Sequence, residues 1–275
     1  MIRKITSLAS CMEFIEGIKD DPNYSDPMFS TPESMEANLY QAVNRDQHAV
    51  FCVSREGILI GLFSFLILAE ERYLEMIVGL SRENEAYEET ADYLSTHYRG
   101  FEADFVFNPK NDKIVSMLEK RHAFFYPVQL RMELTNDSFS CDTTGVEPYS
   151  EPYREQYLAM HSTDVYWTGE KILANQNHKV FLAIDGETVV GYLDITDFDD
   201  ENEPIDLLVK EEYRNRGWGR KLLMKAVSAN RPRKMMLLVD ADNAPALHLY
   251  RSVGFSAVEN GGSQTAVWNI PDCPE

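Results

Sequence analysis

Positive charge is scarce in this chain. Only 26 Lys and Arg residues face 45 Asp and Glu over 275 positions, a formal charge of −19. Binding to nucleic acid depends on basic residues that neutralise phosphates, so this balance argues against a nucleic-acid partner. An acidic surface favours solubility and attracts cationic molecules instead. Cysteine is scarce too: Cys11, Cys52, Cys141 and Cys273 lie far apart, with no C-x-x-C pair. That argues against both a zinc framework and a disulfide framework. No apolar run reaches membrane-spanning length, and residues 1–6 lack the apolar core of a signal peptide. The expected setting is cytoplasmic, without a membrane partner. His161, His178 and His248 have no carboxylate or cysteine at a ligand-like spacing, so neither a metal site nor a hydrolase triad is expected. The G-x-G-x-x-G and G-x-x-x-x-G-K-[ST] phosphate motifs are also missing.

What the chain has is enough apolar residue, 44%, to build real cores, and a length that suits two domains. Alternating and continuous apolar runs predict strands over 2–6, 49–54, 58–68, 73–80, 101–107 and 128–134. Helices are predicted over 10–19, 88–98 and 113–121, with another beginning at a Thr31 cap followed by Pro32. After a Ser/Thr/Asp-rich linker over 136–147 the order repeats. Helices over 151–160 and 170–175 precede strands at 179–184, 188–196, 204–209, 235–239 and 264–270. Helices after Gly217 and over 245–252 complete the second half. Gly61 and Gly191 stand 130 positions apart, Val78 and Val209 131, Asn111 and Asn243 132. A repeat of that size is a duplicated domain rather than a solenoid. The expectation is two α/β (α+β) units, 1–135 and 138–275.

One stretch of the second unit carries chemistry. Leu207-Leu208-Val209 reads as a buried strand that turns through Arg214-Asn215-Arg216-Gly217-Trp218-Gly219-Arg220 into a helix. Trp218, Leu222, Leu223, Ala226 and Val227 form one apolar stripe on that helix. The first amides of a helix have no partner within it and sit at the positive end of its dipole, which makes an anion site. Glycine keeps side chains out of the ligand's way, and Arg214, Arg216, Arg220 and Lys221 surround the turn with cations.

The hexapeptide Arg214-x-x-Gly217-x-Gly219 resembles the [QR]-x-x-G-x-[GA] signature of the GCN5-related N-acetyltransferases (GNAT superfamily). Val209, five residues before Arg214, and the segment from Asn243 through Tyr250 to Gly254-Phe255 resemble the family as well. The resemblance covers the second copy well and the first only by pattern. It implies tandem GNAT-like domains, each a mixed, mostly antiparallel sheet flanked by helices, the first of them degenerate. It implies acetyl-CoA as cosubstrate, its pyrophosphate on the turn and its pantetheine along Leu207, Leu208 and Val209, with a strand amide polarising the thioester carbonyl. Asn243 would help fix CoA or cap a helix. The implied reaction is transfer of an acetyl group to a primary amine of a small molecule or peptide, by direct attack in a ternary complex. A cationic acceptor would suit the acidic surface, held between the two copies.

Tyr250 would then be the acid for the leaving thiolate. Glu203 and Asp206 are the candidate bases, a water relay being the other route. A non-enzymatic acyl-CoA-binding regulatory module remains the alternative. The acidic run 197–203, which ends at Glu203, reads otherwise as a solvated loop. Where the second copy has its glycine turn, the first has Glu83-Asn84-Glu85-Ala86-Tyr87-Glu88, and Leu118 replaces Tyr250. Its carboxylates would repel a pyrophosphate. Oligomeric state is left open.

Overall fold

The computed structural model describes residues 1–29, 32–136, 138, 142–163 and 165–272. The expected Thr31 cap and the thiols of Cys141 and Cys273 lie outside the described residues. The chain forms two compact units, Met1–Gln129 with Glu259–Glu275, and Leu130–Val258.

In the first unit β1 (Ile2–Ile5), α1 (Met12–Ile18) and α2 (Pro32–Met35) precede β2 (His48–Arg55), β3 (Ile58–Leu68) and β4 (Tyr73–Leu80). Next come α3 (Asn84–His97), β5 (Glu102–Phe107), α4 (Asp112–Lys120) and β6 (Phe124–Phe125). Glu56 and Gly57 both take positive φ, 51° and 83°, the two-residue turn that matches strand twist in the β2–β3 hairpin. Strands β1 to β4 pair antiparallel in sequence order. Strand β5 joins β4 in parallel from Tyr73↔Glu102 to Met76↔Phe105. Ala86, Tyr87, Thr90, Ala91 and Leu94 are the buried stripe that fixes α3 to this sheet.

In the second unit β7 (Gln129–Leu134), β8 (Val146–Pro148), α5 (Arg154–Leu158) and α6 (Gly169–Ala174) lead to β9 (His178–Asp185) and β10 (Thr188–Thr196). Then follow β11 (Glu201–Asn202), β12 (Pro204–Val209), α7 (Trp218–Asn230), β13 (Lys234–Asp240), α8 (Ala244–Ser252) and β14 (Phe255–Asn269). One sheet runs β12-β10-β9-β8, and β13 lies between β7 and β11 in another. Helix α7 buries Leu222, Leu223, Ala226 and Val227, as the stripe predicted, against Phe181, Ala183, Val190 and Leu193. The other face of the β9–β10 pair carries a second core of Tyr157, Ile172, Val180, Leu182 and Tyr192. Both units are mixed, mostly antiparallel sheets flanked by helices.

The linear division at 135/138 differs from these units in two respects: residues 130–135 fall in the second unit and 259–275 in the first. Strand β14 is a single 15-residue strand rather than a short one at 264–270. Its start belongs to the second unit, while Gln264–Asn269 pairs antiparallel with β5 of the first. Strand β8 begins at the end of the 136–147 stretch, where the second unit was expected to start, and the helix expected over 151–160 shortens to a 3-10 turn and α5. No helix among the described residues is long and apolar enough to cross a membrane.

Candidate active site

Strands β12 and β13 fall in different sheets. Strand β12 is committed to β10, from Gly191↔Val209 to Asp194↔Asp206, and β13 pairs in parallel with β11. Gly191 lets β12 close in: a Cβ there would meet the Leu208 carbonyl oxygen at 2.7 Å. Beyond β12 the chain makes a short turn over Glu211–Tyr213, passes Asn215 at φ 60° and Gly217 at φ 87°, and enters α7 at Trp218.

The two glycines of this turn do different jobs. Gly217 takes a left-handed conformation that disfavours other residues, and open space surrounds the place of its missing Cβ. Gly219 makes room for a neighbour instead, since its Cβ would stand 3.3 Å from Leu249 Cδ2. The cations are partly engaged. Arg214 donates from Nε to the Val209 carbonyl (3.0 Å), and Lys221 Nζ reaches Asp142 Oδ2 (3.0 Å) and the Thr144 carbonyl (3.1 Å). Arg216 lies over the Tyr213 ring. Trp218 packs over Gly145, where a Cβ would meet its ring at 3.0 Å, which makes it part of the core edge. The side chain of Asn243 accepts the Ala246 amide (3.1 Å) as the cap of α8. Asn111 caps α4 in the same way, accepting from Lys113 and Ile114.

Alternation along β12 splits its side chains as expected. Leu207 and Val209 pack with Tyr250 against the α7 core, and Leu208 packs in the opposite one. Burial pushes the Tyr250 phenol above its ordinary pKa, and the charges of Asp206 and Glu203 add to the rise. The three residues singled out in the sequence therefore share one electrostatic neighbourhood. Burial also raises the Glu203 carboxyl, with the Leu238 backbone N–H and the Arg131 charge pulling it back.

The acidic run is more structured than a solvated loop. Asp197 binds Lys179 and Arg233, each at 2.7 Å. Glu201 pairs with Arg131 (3.1 Å), and buried Asn202 donates to the Phe198 carbonyl and to Asn230 Oδ1. The pairings with Arg131, Lys179 and Arg233 are long-range, so local composition could not reveal them.

Sequence reasoning also missed a buried polar cluster on the α5–α6 side. His161, given no partner by its spacing, has its Nε2 2.9 Å from Asp194 Oδ2. Tyr157 donates to Asp194 Oδ1 (2.9 Å), and Tyr192 donates to Asp206 Oδ2 (2.6 Å). Asp194 is completely buried, and burial lifts its carboxyl above the usual range. The sequence signal was the alternation Tyr192-x-Asp194 facing Asp206-x-Leu208, which the β10–β12 register brings to one face.

In the first unit the space beside β4 and β5 is taken by the unit's own chain. Pairing of β4 with β5 stops at Met76↔Phe105, and the turn Pro27–Phe29 touches both strands. Asp26, 4% exposed, accepts the Gly79 amide through Oδ2 at 2.8 Å. Asn108 Nδ2 holds the Pro22 carbonyl (3.1 Å), and Arg82 grips Asp21. The helix start that follows carries no glycine turn, and Glu83 and Glu85 pair with Arg55.

Residues 144–255 match the model of the acetyltransferase (GNAT) family. No curated protein matches the chain. Solved structures share its fold at low identity. A GCN5-related N-acetyltransferase from Sphaerobacter thermophilus aligns over 98% of this chain and 96% of its own, with TM-score 0.63 and 12% identity. A GNAT-family acetyltransferase from Colwellia psychrerythraea aligns over 97% and 98%, with TM-score 0.52 and 11% identity. A glucosamine N-acetyltransferase region of a fungal multi-domain GH3 beta-N-acetylglucosaminidase aligns over 97% of this chain and 38% of that one, with TM-score 0.56 and 10% identity. The parted strands β12 and β13, the Gly217 turn and the family match agree: residues 144–255 are an acyltransferase domain of the acetyltransferase (GNAT) family.

Proposed function

We propose that the second unit binds acetyl-CoA and transfers its acetyl group to a primary amine in a ternary complex. The observation that carries this reading is the left-handed Gly217 at the open start of α7, beside the gap between β12 and β13. First-turn amides at a positive helix end suit a pyrophosphate, and Arg214, Arg216 and Arg220 add charge around it. Leu207, Leu208 and Val209 offer the exposed backbone edge for the pantetheine, and a strand amide there would polarise the thioester carbonyl.

The base must be ionised and the acid protonated at the same pH. Tyr250, held protonated by burial and by two nearby carboxylates, suits the acid that meets the departing thiolate. Glu203 and Asp206 are the carboxylates within its field. The first unit supplies no second site, because Asp26 and the Pro27–Phe29 turn already fill its gap.

Calorimetric titration with acetyl-CoA tests the reading. The wild type should bind one equivalent per chain. Gly217→Glu adds a carboxylate and a strained φ where phosphate must meet backbone, so it should bind none while keeping its circular dichroism. A stoichiometry of two, or unchanged affinity in a folded Gly217→Glu variant, overturns the assignment.

A further inference from the structure

The cluster on the α5–α6 side is built differently from a packing network. His161 and Asp194 have side chains 4% and 0% exposed. Neither ring nitrogen of His161, nor Oδ2 of Asp194, has a hydrogen-bond partner among the described residues. Nε2 and Oδ2 approach to 2.9 Å, yet without the alignment a ring N–H would need to donate. Burying three polar atoms in this state is costly unless something else satisfies them. Asp206 completes the group, and one ligand atom from each of the three residues lies within 4.8 Å of the others.

The spacing discriminates between occupants. Two atoms that ligate one ion at about 2.1 Å stand about 3 Å apart at the right angle of an octahedral site and about 3.4 Å apart in a tetrahedral one. An alkylammonium nitrogen hydrogen-bonded to both would hold them at about 4.5 Å. The observed 2.9 Å excludes the ammonium bridge; a direct His161–Asp194 pair has the same length, so the missing alignment and the third ligand, Asp206, are what favour the ion. The surroundings fix each ligand. Tyr157 occupies Oδ1 of Asp194 and Tyr192 occupies Oδ2 of Asp206, which orients the other oxygens. The His161 ring stacks on Tyr192 at 4.3 Å between centroids, and Gly169 leaves room for it, since a Cβ there would meet the ring at 3.0 Å.

We infer that His161, Asp194 and Asp206 form a binding site for one divalent transition-metal ion. One imidazole and two carboxylates suit Zn²⁺ or Mn²⁺. Asp206, the exposed member, is the side from which the ion enters. A bound ion joins the α5–α6 connection to β10 and β12. It also occupies the Asp206 oxygen left free by Tyr192, which removes Asp206 from proton transfer and leaves Glu203 as the base.

Direct titration tests this without recourse to activity. Purified protein, stripped with chelator, is titrated with Zn²⁺ against a chromophoric competitor and with Mn²⁺ by electron paramagnetic resonance. One equivalent of at least one of the two metals should bind per chain. His161→Ala and Asp206→Asn should each weaken it by about a hundredfold or more, beyond the loss typical of outer ligands. Should His161→Ala fail to fold, Asp206→Asn, at an exposed position, decides alone. His248→Ala, an exposed histidine elsewhere, should leave uptake unchanged. Failure of either metal to bind stoichiometrically overturns the site, as does binding that survives Asp206→Asn or is lost in His248→Ala. Acetyl-CoA binding is scored separately, so the two assignments fail independently.

Discussion

Tyr250 and Glu203 are opposite answers to the same burial. Removing either from water favours its neutral form. For Tyr250 that is the protonated phenol a leaving thiolate needs. For Glu203 it means the carboxylate appears only above the ordinary glutamate range. With Glu203 as base, kcat/KM should therefore fall as pH drops through its raised pKa, the acid limb lying above the usual glutamate value. Glu203→Gln should lower the plateau and abolish that limb. A wild-type acid limb that persists unaltered in Glu203→Gln assigns the base elsewhere. Tyr250→Phe keeps the ring against Phe255 and removes only the hydroxyl. It should cut kcat by roughly 10- to 1,000-fold with acetyl-CoA affinity nearly level, within the range of general acid catalysis. Equal kcat values, with chemistry shown to limit the rate, would make Tyr250 a packing residue.

At the level of elements, the contrast between the units is a matter of what lies beside two strands. In the second unit β12 leads to an open glycine turn. In the first, the segment 21–29 lies beside β4 and β5, with Asp26 on the Gly79 amide. Asp26→Ala leaves that buried N–H without its acceptor and should destabilise the first unit by about 1–3 kcal/mol, read from the urea midpoint. No loss of stability would show that the segment only rests on the surface. The sequence made the strands and helices legible because their periodicities are local. β3, β4, β10 and β12 fall on their expected residues. The carboxylates of Glu83 and Glu85, also visible there, pair with Arg55. The sequence held no sign of Asp26, because a carboxylate 53 residues from its partner amide leaves no pattern in either segment. His161 and Asp194 escaped notice for the same reason, since they meet only where the α5–α6 connection packs on β10. Asn243 and Asn111 show the reverse. A match between the two halves that is visible in the sequence places a helix cap in each unit.

For the whole molecule, strand β14 matters most. Ala266, Trp268 and Ile270 are buried in the core of the first unit, with Arg121 over the Trp268 ring. Trp268→Ala should cost about 3–5 kcal/mol, although it lies in the last tenth of the sequence. Its effect belongs to the first unit. Amide hydrogen exchange should accelerate in β5 while β9 and β10 stay protected. Faster exchange confined to the second unit would contradict this assignment. Cutting the chain at residue 135 or 138 would likewise divide a core rather than a linker.

Strand β14 also bears on how the chain is made. Synthesis runs from the N-terminal side at about 5–20 residues per second, so on the order of 10 s separates the emergence of β5 from that of its partner. Throughout that interval β5 presents an unpaired edge, an invitation to other nascent chains on the same messenger. The first half is born early yet finishes folding last, and a ribosomal pause anywhere in 130–258 would prolong its exposure. Chaperone demand during translation should follow from this order of birth, independently of how stable the finished protein becomes.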